Sequence, residues 1–287
     1  MWTVSLRYLK TLWRCLNRDD AAGLAAEMTY NWMLSLLPAL IFIFTLFGMF
    51  GVKSAIFEEL MARVYLLAPQ DAYQVLQTNL MELTRASNGG LALLSLFGAV
   101  GTASNGVNSV QKALDRAFRG VERRRGMVRH AIVSFLVILG MGILMFVSAN
   151  LIVFGDLIFK LIRQAFDPDN VFLFLLGWLR WGIAITGLVL TITFIYWLAP
   201  DVRAAHLPFR RRVLPGTLVF VPLWILISWL FSLYVTNFGH YNKIYGSMGA
   251  IIVLMIWLYL TSYTLIIGGE VNAMASGCSE DALNSLG

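Results

Sequence analysis

Along the first 18 residues the apolar positions Trp2, Leu6, Leu9, Trp13 and Leu16 alternate with Arg7, Lys10, Arg14 and Arg18. Apolar residues at steps of four and three share one face of a helix, so residues 1–20 predict an amphipathic helix suited to the membrane interface. The same pattern would also serve a helix packed on the protein itself. Six apolar runs follow, at about 32–50, 90–108, 131–153, 172–198, 214–236 and 246–269. Each approaches or exceeds the ~20 residues a helix needs to cross ~30 Å of hydrocarbon. The second run ends in Ser104, Asn105 and Asn108. Such groups in a membrane helix must face protein or water, so this span is expected to have little lipid contact.

Between the first two runs, residues 53–89 are too long and too polar for a tight turn. Ile56, Leu60, Val64 and Leu67, then Leu76, Leu80 and Leu83, repeat at helical spacing on either side of Pro69. Two short amphipathic helices on the outer face are expected there. The predicted architecture is therefore all-α: a polytopic integral membrane helical bundle of about six transmembrane helices, with an N-terminal interfacial helix and an outer-face amphipathic helical segment. It forms a single membrane domain over 1–277, and residues 278–287 form a short cytoplasmic tail.

Composition agrees with the pattern: 59% of the 287 residues are hydrophobic and 13% are charged, and the mean hydropathy is +0.72. A single water-soluble globule cannot be built from that balance. The formal charge of +6 lies in short clusters between apolar runs. That distribution fits an anionic lipid surface and not nucleic acid. Three segments predicted inside (the N-terminus, 109–130 and 199–213) carry 15 Lys and Arg, against six in the intervening loops. The positive-inside rule then places the N-terminus in the cytoplasm, and six crossings return the C-terminus to the same side. Trp178, Trp181 and Trp197 fall near span ends, where interfacial aromatics belong. Cys15 and Cys278 would both face the reducing cytoplasm, so neither a disulfide nor a zinc site is expected. The first twenty residues hold no uninterrupted apolar stretch with a small-residue cleavage pattern, so the first membrane helix is expected to direct insertion.

Four groups of residues, in order along the chain, carry a resemblance. Leu24-Ala25-Ala26-Glu27-Met28-Thr29-Tyr30-Asn31-Trp32-Met33-Leu34-Ser35-Leu36-Leu37-Pro38 resembles the LAYxxLLSLxP opening of the YihY/BrkB family of bacterial inner-membrane proteins, with Ala26-Glu27 in place of the more usual aromatic pair. Ser104 to Phe118 is similar to the family's polar end of span two. Leu214-Pro215-Gly216 with Trp224 is a third match. The fourth, Tyr245-Gly246-Ser247-Met248-Gly249-Ala250 through Trp257-Leu258-Tyr259 to Gly268-Gly269-Glu270-Val271-Asn272-Ala273, resembles the YGxLGA...WxY...GAE ending. The resemblance implies a six-span protein of the bacterial inner membrane. The name ribonuclease BN has been attached to this family, whereas other readings favour transport or a role in envelope resistance.

The chain's own chemistry does not suggest an enzyme. A metal-dependent nuclease needs several clustered ligands, and His130, His206 and His240 are scattered over three loops. No phosphate loop and no nucleophile elbow is present, and no cofactor is expected. What topology does gather is polar groups at the inner ends of three spans: Glu27, Tyr30, Asn31 and Ser35; Ser104, Asn105 and Asn108; Glu270 and Asn272. These would line a cytoplasm-facing polar cavity, or serve as interfacial caps and interhelical hydrogen bonds worth ~1 kcal/mol each. Arg180, inside the fourth run, is expected to snorkel outward. Gly98, Gly101, Gly140, Gly142, Gly246 and Gly249 would let helices approach or let a span bend. Pro38 is a candidate kink and Tyr245-Gly246 a candidate hinge. Arg123, Arg124 and Arg125, with Arg210, Arg211 and Arg212, are candidate contacts for anionic headgroups, or a topology signal alone.

The leading functional expectation is a transporter or flippase-like protein for an amphipathic or anionic envelope lipid or related solute. In the absence of an ATP motif it would draw on an ion gradient, with Glu27 or Glu270 as candidate proton carriers. A non-catalytic scaffold for envelope enzymes is the alternative, and a membrane-embedded hydrolase or ribonuclease comes third. Anionic membrane lipids are the expected partners, with association between copies of the chain left open.

Overall fold

A computed structural model of the chain describes residues 2–49, 89–118, 136, 170–200, 209–237 and 247–277. The described residues are helical, with short turns at helix ends and no strand among them. The helices are α1 (Trp2–Arg18), α2 (Ala21–Met49), α3 (Gly89–Ala117), α4 (Asn170–Leu198), α5 (Phe209–Asn237) and α6 (Ser247–Ala275). Apart from residue 136, the expected third span lies outside the described residues, as do the outer amphipathic segment up to residue 88, Arg123 to Arg125, Tyr245 and Gly246, all three histidines and the 278–287 tail.

Each of α2 to α6 has 29 residues, or about 43 Å at 1.5 Å per residue. Among the described residues, Val213–Val235 and Ile251–Ala275 are long and apolar enough to cross a membrane. The helices overrun the expected spans. Three overruns matter: α2 begins at Ala21, α3 continues to Ala117 and α6 continues to Ala275. Hydropathy marks where side chains stop preferring hydrocarbon, whereas the backbone ladder runs on through residues such as Gln, Lys, Leu, Ala and Arg that favour helix. Glu27, Tyr30 and Asn31 consequently lie on α2 itself, and Glu270 and Asn272 lie within α6. Arg210 to Arg212, expected in a loop, fall in the first turn of α5.

Helix ends follow from local chemistry. Asp19 and Asp20 make the tight turn between α1 and α2, and Asp20 takes φ 53°, a left-handed conformation that Asp tolerates better than most residues. The Asp19 N–H donates to the Cys15 carbonyl at 2.9 Å, closing the last turn of α1. Pro200 follows Ala199 where α4 stops, as expected of a residue that cannot donate to the ladder. At the end of α6, Gly277 has φ 80°, and the Ser276 N–H donates to the Asn272 carbonyl at 3.0 Å; this is the usual glycine ending of a helix.

The chain divides into two compact units. The first comprises 1–22, 110–226 and 263–287, and the second 23–109 and 227–262. In the first unit Cys15 and Leu16 of α1 are buried, whereas Tyr8, Leu9 and Trp13 are exposed. Helix α1 therefore packs on the protein through Cys15 and Leu16, as one of the two expectations has it, and leaves Tyr8, Leu9 and Trp13 exposed. In the second unit α2 runs on as a helix through Pro38.

Candidate functional site

The first unit contains the site. Its centre is Glu270, 1% exposed on α6, with neither carboxyl oxygen hydrogen-bonded among the described residues. Carboxylates are rarely enclosed unless paired, because removing their charge from water is costly. Helix α1 brings the opposing charges. Arg18 donates from Nε to Asp19 Oδ1 at 2.9 Å and from Nη2 to Oδ2 at 2.6 Å. This forked pairing matches the planar guanidinium to the carboxylate. It holds the Arg18 pKa above its ordinary value, with burial acting in the opposite sense. Glu270 interacts with the Asp19 carboxylate, which repels its charge, and with Arg18, which attracts it. From α3, Arg116 Nη1 donates to the Asp19 backbone carbonyl at 3.2 Å and ties the α1–α2 turn to that helix.

Beside Glu270, the end of α6 is sewn to its neighbours. The Gly216 N–H of α5 donates to Asn272 Oδ1 at 2.7 Å. Pro215 immediately before it has no N–H to give to the α5 ladder. The Tyr196 hydroxyl of α4 donates to the Leu265 carbonyl at 2.8 Å. Gly268 and Gly216 face each other so closely that a Cβ on Gly216 would collide with the Gly268 carbonyl and the Asn272 amide. A Cβ on Gly269 would meet Leu114 Cδ2 of α3 at 2.5 Å. Two buried amide donors in this unit, Gln111 Nε2 and Asn272 Nδ2, have no partner among the described residues. Orphaned donors and acceptors in one buried region ask for water, a proton or a ligand.

The remaining expected cavity residues belong to the second unit. Glu27, Asn31, Ser35, Ser104 and Asn108 are half-buried, and Tyr30 and Asn105 are exposed. The Ser35 hydroxyl bonds back to the Trp32 carbonyl at 2.8 Å, within its own helix. Asn108 Oδ1 is buried without a partner among the described residues. A Cβ on Gly106 would lie 2.9 Å from Trp32 Cδ1, so α2 and α3 approach closely there. Among the described residues nothing lies within 4 Å of the corresponding position at Gly101, and at Gly98 the Pro38 Cβ lies at 3.7 Å.

Sequence reasoning singled out Glu270 and Asn272 but not their partners. Arg18 entered only as a topological charge, and Asp19, Arg116, Tyr196 and Gln111 were not candidates. The available signal was an acidic pair, Asp19-Asp20, placed directly between an amphipathic helix and a membrane helix.

Comparison with known proteins adds an independent line. The family model described as Virulence factor BrkB matches residues 12–285. A ribonuclease-like protein of Bacillus subtilis, YfkH, is 31% identical over 269 residues, covering 94% of this chain and 95% of YfkH. A UPF0761 membrane protein of Psychromonas ingrahamii is 26% identical over 279 residues, covering 94% of this chain and 88% of that protein. The UPF0761 membrane protein PsycPRwf_0630 of Psychrobacter is 24% identical over 258 residues, and there the match spans 89% of this chain and 46% of the relative. No solved structure matches the chain.

Proposed function

The chain belongs to the YihY/BrkB family of membrane proteins, and from that premise we propose that it is a transporter or flippase-like protein for an amphipathic, anionic envelope lipid or related solute. The proposal includes six crossings of the bacterial inner membrane and both termini in the cytoplasm. The observation that carries it is the enclosed Glu270, unpartnered at its carboxyl oxygens among the described residues, in a helix apolar enough to span a bilayer. An ionisable residue inside a membrane helix is expensive to keep, and such residues mark ion and substrate pathways. Orphaned amide donors at Gln111 and Asn272 support a hydrated polar interior in the same unit. Basic residues at the first turn of α5, Arg210 to Arg212, would draw anionic headgroups to the inner surface.

The ribonuclease-like name of YfkH would point to a nuclease. The three histidines of this chain stand at 130, 206 and 240, without the sequence spacing of a metal-ligand motif. The scaffold alternative has its support in the basic segments, and predicts that replacing Arg123 to Arg125 abolishes partner recovery without altering lipid movement.

The test is lipid movement by the purified protein in sealed vesicles, read as loss of a leaflet-specific fluorescent phosphatidylglycerol signal with and without an imposed proton gradient. Movement is expected with the native chain, and the double variant Glu27→Gln with Glu270→Gln should abolish the gradient-dependent part. Equal movement by the double variant would remove the carboxylates from the mechanism. No movement by the native chain across anionic lipids and related solutes would favour the scaffold.

A further inference from the structure

Helix α1 has 17 residues, about 26 Å at 1.5 Å per residue. It is shorter than the hydrocarbon layer and carries Arg7, Lys10, Arg14 and Arg18, so it is built to lie along a bilayer and not to cross one. The structure divides its apolar residues by position. Cys15 and Leu16, next to the Asp19–Asp20 turn, are packed into the first unit, and Leu12 is half-buried. Leu9 and Trp13, by contrast, stand 60% and 63% exposed, with Tyr8 exposed beside them. A four-residue step puts Leu9 and Trp13 on one face of the helix, and Lys10 and Arg14, both exposed, flank that face along one edge. No acidic residue falls between Tyr8 and Asn17. The nearest, Asp19 and Asp20, lie in the turn, where the Asp19 carboxylate is engaged by two bonds from Arg18. The exposed surface is thus an apolar, aromatic strip with a positive edge.

That strip is held at one end. The turn after α1 is two residues long and leads directly into α2. The Asp19 N–H closes on the Cys15 carbonyl at 2.9 Å, and Arg116 of α3 reaches the Asp19 carbonyl at 3.2 Å. The same unit contains the inner parts of Val213–Val235 and Ile251–Ala275, both apolar enough to span a bilayer. A helix tied in this way stays beside the leaflet those segments enter. Its chemistry is complementary to that leaflet. Trp and Tyr settle at the level of the headgroups, and Lys and Arg reach phosphates while their stems cover apolar surface. A protein partner would need an apolar groove with an acidic rim, whereas an anionic leaflet supplies both layers at once.

We propose that α1 docks on an anionic phospholipid leaflet, with Leu9 and Trp13 entering the boundary between headgroups and acyl chains and Lys10 and Arg14 binding the phosphates. One stripe of apolar residues then serves two surfaces: its Leu16 end packs on the protein, and its Leu9 and Trp13 part enters lipid. The docking does not depend on whether the protein moves lipid.

The test is spin-label accessibility of the full chain in nanodiscs of phosphatidylcholine, with and without phosphatidylglycerol. Cys278→Ser removes one native thiol, and Cys15 is buried. Labels are then placed singly by Leu9→Cys, Lys10→Cys, Trp13→Cys and Arg14→Cys. With phosphatidylglycerol, labels at 9 and 13 should be relaxed mainly by oxygen, and labels at 10 and 14 mainly by a water-soluble nickel chelate. The oxygen-to-nickel ratio at 13 should fall several-fold when phosphatidylglycerol is left out, and again when Lys10→Gln and Arg14→Gln are combined. Added salt should lower it in the same direction without any change to the charges of α1, which keeps the test available if the double variant does not fold. Labels at 9 and 13 as open to nickel as those at 10 and 14 would overturn the proposal, since the strip would then face water. Exclusion of both reagents from 9 and 13 would also overturn it, by showing a second protein surface there. Insertion indifferent to phosphatidylglycerol, salt and the two substitutions would overturn the anionic occupant.

Discussion

Gly268→Ala is expected to cost about 3 kcal/mol or more of stability, because the new methyl has nowhere to go. It would collide with the Tyr196 hydroxyl and lie 2.9 Å from both Tyr196 Cζ and the Gly216 carbonyl oxygen. Tyr196 is wholly buried, so its ring cannot swing out to solvent. If the ring retreats, the bond from its hydroxyl to the Leu265 carbonyl is lost, and an unpaired buried hydroxyl costs ~1–3 kcal/mol. If α6 moves instead, the Gly216–Asn272 bond at 2.7 Å is pulled apart. Thermal unfolding in detergent should show a large loss for Gly268→Ala. Gly101→Ala, with nothing within 4 Å among the described residues, should change little, since alanine also favours helix. Adding Tyr196→Phe should recover part of the loss by removing the colliding oxygen, a coupling that a double-mutant cycle reads directly. Equal melting of Gly268→Ala and Gly101→Ala would mean that α4, α5 and α6 do not meet as described.

The contrast between Gly101 and Gly268 shows where sequence reading stops. Both are glycines in helices, and Gly101 was among the six glycines expected to let helices approach, whereas Gly268 was not. Yet Gly101 meets none of the described residues within 4 Å, while Gly216, Gly268 and Gly269 take the close contacts. Hydropathy reports the cost of transferring a side chain from water, and carries no information about which two helices touch. It located α2 to within a few residues at its far end, but it cut α6 short at Gly269, one residue before Glu270. The helix is sustained there by its own ladder and by partners on other helices. The family motifs fared differently. Leu214-Pro215-Gly216 and Gly268-Gly269-Glu270-Val271-Asn272 were legible as separate patterns, and the structure joins them through one bond, Gly216 N–H to Asn272. Neither motif could reveal that pairing alone, because the bond depends on two segments separated by 56 positions. Arg18 shows the same limit from the charge side. Counting it among the inside residues gave an orientation, but its forked pairing with Asp19 beside Glu270 required the fold.

Asn272→Leu should be the second severe substitution, and its partner is a backbone group that cannot be redesigned. Asn272 is completely buried, and its Oδ1 accepts from the Gly216 N–H. Leucine has asparagine's branched shape and suits an apolar interior but is bulkier, so the expected loss combines the orphaned N–H, ~1–3 kcal/mol, with crowding of its methyl groups against Gly216. Part of it is offset, because the unpartnered Nδ2 disappears with the amide. Asn272→Asp separates the two terms. It keeps an acceptor for Gly216 but adds a buried negative charge two residues from Glu270, on the same helix. A buried unpaired charge is costlier than an orphaned amide, so at neutral pH Asn272→Asp should melt below Asn272→Leu. Acidification should reverse the order, since a protonated carboxyl is neutral and still accepts the Gly216 bond. Melting curves of both variants across pH check the pair of statements. If Asn272→Leu melts with the native protein at every pH, the Gly216–Asn272 bond does not hold α5 to α6, and the glycine contact beside it must do so unaided.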